Sequence, residues 1–100
     1  MPETLESFKA KFPQVWAAYE DLKNVCDKGG PLDKKTIELI KIGISTVMCR
    51  EGGLVAHISK AKKAGAQKNE IYHSILLAMG LAGFPSTLAA FAVAKKHLEG

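Results

Sequence analysis

Apolar side chains recur three and four residues apart along nearly the whole chain, and nowhere do they alternate with polar ones over the length of a strand. A period near 3.6 places such residues on one side of a helix and on both faces of a sheet, so only the helix gives them a common interior. Thirteen alanines among the 100 residues point the same way, because alanine loses no side-chain entropy on entering a helix. The expected fold is all-α, a bundle of about six helices forming one domain over residues 1–100. No linker, internal repeat or low-complexity tract divides it.

Glycine and proline mark the helix ends. Leu5 to Phe12 reads as a first helix, and Pro13 opens a second that carries Val15, Trp16, Tyr19, Leu22 and Cys26 on one side until Gly29-Gly30-Pro31 ends it. Asp33 is the expected N-cap of a third helix, whose apolar positions Ile37, Ile40, Ile44, Val47 and Met48 follow the helical period to a stop near Cys49. Gly52-Gly53 is read as the junction to a fourth helix, Leu54 to Ala64, with Gly65 in the left-handed position beyond its end. Gln67 begins a fifth, where Glu70 completes a capping box and Ile71, Ile75 and Met79 form the inner side. A sixth runs from about Pro85 to Leu98, with Leu88, Phe91 and Ala92 inward and Lys95, Lys96 and His97 near its C-terminus.

Composition removes several classes. With 47% hydrophobic residues the chain is not intrinsically disordered, and two cysteines do not make a disulfide scaffold. A chain this short buries only about 60–65% of its unfolded surface, so the apolar content exceeds what one protomer hides and self-association is expected. The net charge of +4 comes almost entirely from dispersed lysines without interleaved aromatics, which argues against nucleic-acid binding. Charges mixed through the first twenty residues leave no secretory leader, so a cytoplasmic product is expected. Ser74–Ala94 is uncharged for 21 residues, the length of a membrane span, but Gly83-Phe84-Pro85 in its middle stops one helix and starts another. Two buried helices joined by a tight turn fit it better, and no membrane partner is expected.

Chemistry is sought where polar residues interrupt apolar helices. Glu38 stands between Ile37 and Leu39, and His57 follows Leu54-Val55-Ala56. Together they form a carboxylate–imidazole pair that orients a general base, or else Glu38 faces solvent beside Lys34, Lys35 or Lys41 and His57 is a satisfied core histidine. Arg50, Gly53 and His57 fall at i, i+3 and i+7, and so share one face of a helix starting near Arg50. Arg50 is the sole arginine, and its planar fork either binds a carboxylate at a glycine-lined helix start or lies on the surface beside Glu51. Cys49, next to that guanidinium, is either a reactive thiol or a buried inert one. His73 and His97 carry no partner pattern, and no metal-ligand motif is present, so no metal is expected.

The run Arg50-Glu-Gly-Gly-Leu-Val-Ala-His57, followed by Ala64-Gly65, Glu70-Ile71, Leu81-Ala82-Gly83-Phe84-Pro85 and Ala89-Ala90-Phe91, resembles the carboxymuconolactone decarboxylase family, which includes the alkylhydroperoxidase D branch. The likeness covers about residues 33–98. In the peroxidase branch the signature is Glu, eleven residues, Cys, two residues, Cys, three residues, His. Here Glu38 and His57 keep that separation, while Arg50 and Gly53 stand at the two cysteine positions.

The resemblance implies a cofactor-free helical protein that assembles into trimers or hexamers, with sites near subunit contacts. It implies either a lyase or a peroxidase. As a lyase acting on a small carboxylate, the protein would use Arg50 as anion clamp, with Gly53 beside it, and His57, oriented by Glu38, as proton donor, all in one buried pocket. As a peroxidase it would lack the attacking and resolving thiols in register, leaving Cys49 as a single reactive thiol restored by an external one. A non-catalytic scaffold would hold Glu38 and His57 apart.

Overall fold

The computed structural model describes residues 2–100, and every regular element among them is helical. Contacts group these residues into two compact units, the first ending at Pro31 and the second spanning Leu32–Gly100.

The first unit holds α1 (Pro2–Lys11) and α2 (Pro13–Asp27). Pro13 lacks the N–H that would continue α1 and forbids helical geometry to the residue before it, so Phe12 takes φ −132°, ψ 62°. Lys9 lies over the Trp16 ring, its Nζ 4.8 Å from the ring centre, and ties the two helices together. The second helix has no buried residue. Tyr19, Leu22 and Val25 are all more than half exposed.

The second unit holds α3 (Lys34–Val47), α4 (Glu51–Lys63), α5 (Lys68–Leu76), the single turn α6 (Met79–Ala82) and α7 (Phe84–Glu99). Asp33 caps α3 as expected, its Oδ1 accepting from the Thr36 N–H at 2.8 Å. Glu70 accepts from the Gln67 N–H at 2.8 Å and so caps α5, while its other oxygen takes Lys35 of α3 at 3.0 Å. The α3 helix packs chiefly on α4 and α5, and α7 lies across both. Their shared core is Ile42, Leu54, Ile58, Ala61, Ile71, Ile75, Ala90, Ala94 and Leu98. Each fully buried isoleucine contributes about 1.5–3 kcal/mol through the apolar surface it withdraws from water.

Two helix ends have the same Schellman geometry with different residues in the left-handed position. At the end of α4, Gly65 has φ +96°, its N–H reaches the Lys62 carbonyl, and the Ala66 N–H reaches that of Ala61. At the end of α3 the corresponding residue is Cys49, with φ +56°; its N–H reaches the Thr46 carbonyl and the Arg50 N–H reaches that of Ser45. A side chain in this region costs about 1–2 kcal/mol that glycine avoids.

Four expectations need correction. The α3 stripe Ile40, Ile44, Val47 and Met48 points outward, and the buried face carries Glu38, Ile42, Ser45 and Thr46 instead. The apolar stripe lines an open groove of about 580 Å³ together with Leu77 and Leu81. The α4 helix starts at Glu51, so Gly52 and Gly53 sit inside its first turn, where the backbone N–H groups have no intrahelical acceptor in any case. In α7 the inward residues are Thr87, Ala90, Ala94 and Leu98, and Leu88 and Phe91 are exposed. Small side chains on that face let α7 approach its neighbours closely, which leaves the larger ones outside. Finally, Ser74–Ala94 forms three helical pieces with exposed Leu76, Leu77, Leu81 and Phe84. Gly83, at φ +88°, turns the chain into α7. Among the described residues no helix is long and apolar enough to cross a membrane.

Candidate active site

The helices α3 and α4 lie side by side with their polar residues turned toward each other. Glu38, on the second turn of α3, has no exposed surface, and a buried carboxylate requires partners. It has two. His57 of α4 donates from Nδ1 to Oε1 at 2.7 Å, and Lys34, one turn earlier on α3, donates to Oε2 at 2.8 Å. Burial by itself would raise the Glu38 carboxyl, but the hydrogen bonds from Lys34 and His57 outweigh it, with the two charges adding to them, and hold it below the ordinary carboxylate range. Glu38 is therefore ionised and acts only as an acceptor.

An ionised acceptor fixes the partner's tautomer. The His57 proton sits on Nδ1, and the opposite ring nitrogen, Nε2, is left to take up or deliver a proton. The imidazole is 19% exposed. Glu38 does not face solvent as the alternative reading had it; it pairs with Lys34 from within the protein and also holds a histidine.

Gly53 lies one turn before His57, on the side of α4 facing α3. A Cβ at this position would sit 3.5 Å from Ser45 Oγ and 3.9 Å from Arg50 Cβ, ordinary contact distances. Glycine is therefore not required here by crowding.

Arg50 and Cys49 belong to a different hollow. Arg50 is the N-cap of α4, with no side-chain capping bond, and is exposed. Cys49 occupies the left-handed turn before it, also exposed, with its sulfur 3.3 Å from Ser86 Oγ of α7. These residues, with Ser45, Thr46 and Leu54, line a cavity of about 140 Å³ whose described lining includes neither Glu38 nor His57. The single pocket holding Glu38, Arg50 and His57 together is thus replaced by a carboxylate–imidazole pair and a separate thiol–guanidinium hollow. Cys49 lies beyond the end of α3 at Val47, in the turn. Ser86, 37 residues from Cys49, is the site residue that sequence reasoning missed, and no local pattern marks it. Cys26 is free, as is Cys49. Among the described residues no group of three or more His, Cys, Asp or Glu side chains is placed to hold a metal.

Glu38 stands twelve residues before Arg50 and His57 four residues after Gly53, and the two meet across adjacent helices of an all-helical unit. The chain belongs to the carboxymuconolactone decarboxylase family, whose model matches residues 13–96. The match begins with α2, twenty residues before the part carried by the motifs. The chain is also 32% identical over 98 residues to the uncharacterized protein MJ0742 of Methanocaldococcus jannaschii, covering 97% of this chain and 90% of that one.

Proposed function

We propose that this protein is a cofactor-free acid–base lyase acting on a small carboxylate substrate, with His57 as the proton-transfer residue and Glu38 as the group that orients it. The observation that carries the reading is the 2.7 Å bond between Glu38 and His57. Glu38 stabilises the imidazolium, and Nε2 delivers its proton to the carbanion or enolate left as the carbon–carboxylate bond breaks and carbon dioxide departs. The reading assigns Arg50 as the cation for a substrate carboxylate, although it lines a hollow separate from His57.

The test is turnover of a panel of lactone acids by the wild-type protein, His57→Ala and Glu38→Gln. A loss of about 10²-fold or more in His57→Ala is expected, the size of a general acid–base contribution. Equal turnover by the wild type and His57→Ala contradicts the reading.

A second reading is favoured by one specific observation, the exposed Cys49 sulfur beside the Ser86 hydroxyl. In it the Cys49 thiolate attacks a peroxide oxygen, the O–O bond breaks, and the sulfur becomes a sulfenic acid as water or an alcohol leaves. One external thiol then forms a mixed disulfide with loss of water, and a second releases the reduced cysteine. Mild peroxide followed by mass spectrometry tests it through an added oxygen on Cys49. A scaffold without chemistry called for Glu38 and His57 to be apart, which their hydrogen bond does not meet.

We also propose that the protein works as a homo-oligomer, trimeric or hexameric as its family resemblance implies. The outward stripe Ile40, Ile44, Val47 and Met48 on α3 supports this, because contiguous exposed apolar surface of that kind is characteristic of interfaces. Sedimentation showing a stable monomer would contradict it.

A further inference from the structure

The C-terminal turns of α4 and α7 come together around a cavity that the proposed chemistry does not use. It has a volume of about 390 Å³ and is lined by Val55, Ile58, Ser59, Lys62 and Lys63 of α4 and His97 of α7. None of Glu38, Cys49, Arg50 or His57 is among those residues. Two lysines, a histidine and a serine from two helices are among the described lining residues, which include no carboxylate. The nearby Glu99 carboxylate accepts a hydrogen bond from the Tyr72 hydroxyl.

Basic residues in a last helical turn are ordinarily explained by the macrodipole, which presents about half a negative charge at each C-terminus. Here the last turn of α4 alone carries Lys60, Lys62 and Lys63, and that of α7 carries Lys96 and His97. Of these, Lys62, Lys63 and His97, all exposed, stand around one concave site. Val55, partly exposed, gives the cavity an apolar side beside the cations, and Ile58 behind it belongs to the buried core. Aromatic residues suited to base stacking do not line it, so a single small ligand fits better than a nucleic-acid strand.

We propose that this cavity binds a small organic phosphate monoester. The phosphate lies between Lys62, Lys63 and His97 and accepts a hydrogen bond from the Ser59 hydroxyl, and the organic part rests on Val55. Two lysines act as point charges matched to a doubly charged group, whereas a monocarboxylate would leave one of them uncompensated.

Phenyl phosphate is a suitable probe, titrated into the full-length protein and followed by amide chemical shifts at constant ionic strength. The expected result is saturable shifts centred on Ser59, Lys62, Lys63 and His97, with inorganic phosphate and benzoate each binding at least several-fold more weakly. The double substitution Lys62→Gln and Lys63→Gln should weaken binding at least tenfold with unchanged circular dichroism, and Lys68→Gln, an exposed lysine on another helix, should not. The proposal is overturned if sodium chloride of equal ionic strength reproduces the shifts, if the double variant binds as well as the wild type, or if a single-stranded RNA oligomer binds these residues and phenyl phosphate does not.

Discussion

Glu38 and His57, nineteen residues apart in the chain, meet at 2.7 Å with the carboxylate wholly withdrawn from water and Lys34 on its second oxygen. The arrangement joins the stability of α3 against α4 to the proposed chemistry, because the same bond seats the helices and sets the imidazole tautomer.

Removing the carboxylate leaves His57 and Lys34 without their acceptor. Glu38→Ala is expected to destabilise the protein by about 2–4 kcal/mol, as loss of one member of a buried pair does. Lys34→Ala should cost less than about 1 kcal/mol, because that lysine's side chain is 58% exposed and water replaces much of its bond. Urea unfolding of both variants checks this; equal effects would mean that Glu38 is not the buried centre of the network.

Acid should weaken the fold in a defined direction. The Glu38, Glu70 and Asp33 carboxyls are all held below their ordinary values of 4.5, 4.5 and 3.8, the last two mainly by hydrogen bonds at helix N-termini. A carboxyl lowered on folding contributes stability that is present above its unfolded value and lost as the pH falls through its folded one. Stability is therefore expected to be flat above about pH 5 and to decline below about pH 4, and Glu38→Gln should flatten part of that decline. An unchanged acid limb in the variant would contradict the assignment.

Cys49 separates the two chemical readings. Cys49→Gly relieves a side chain at φ +56° and should stabilise the protein by about 0.5–1 kcal/mol after the added freedom of the unfolded chain is subtracted. Thermal unfolding measures that gain. On the acid–base reading the variant keeps its turnover of lactone acids, and abolished turnover would transfer the mechanism to the thiol.

Local signals in the sequence were strong where one residue type solves one backbone problem. The Asp33 cap, the Gly65 turn, the Pro13 start and the Glu70 bond to Gln67 were all readable for that reason. Orientation of the helices was not. In α3 the apolar period runs through Ile40, Ile44 and Met48, but the buried side is the one carrying Glu38, Ser45 and Thr46. A carboxylate satisfied by His57 and Lys34 lies at zero exposure, and no rule of hydrophobic pattern anticipates a polar face turned inward while an apolar stripe stays outside. In α7, with apolar residues on every side, periodicity cannot choose between Ala90 and Phe91. The Glu38–His57 pair was one of two readings the residues left open, and only the family resemblance favoured it, whereas the Cys49–Ser86 contact depends on a turn and a distant helix.

The space at Gly53 permits a gain-of-function test. Because a Cβ there meets only ordinary contacts, the double substitution Arg50→Cys and Gly53→Cys should fold and restore the dithiol spacing. Peroxide should then close an intramolecular disulfide that the wild type cannot form, with thiol-dependent peroxide consumption measured alongside. A folded double variant without either property would show that the departure at these positions is not what separates this chain from the peroxidase pattern.

The most direct measurement is long-range nitrogen–proton correlation of the His57 ring in mildly alkaline solution, compared between the wild type and Glu38→Gln. The proton is expected on Nδ1 in the wild type, with that preference diminished in the variant. A proton on Nε2 in both proteins would leave Glu38 with no orienting role and remove the basis for acid–base chemistry at this site.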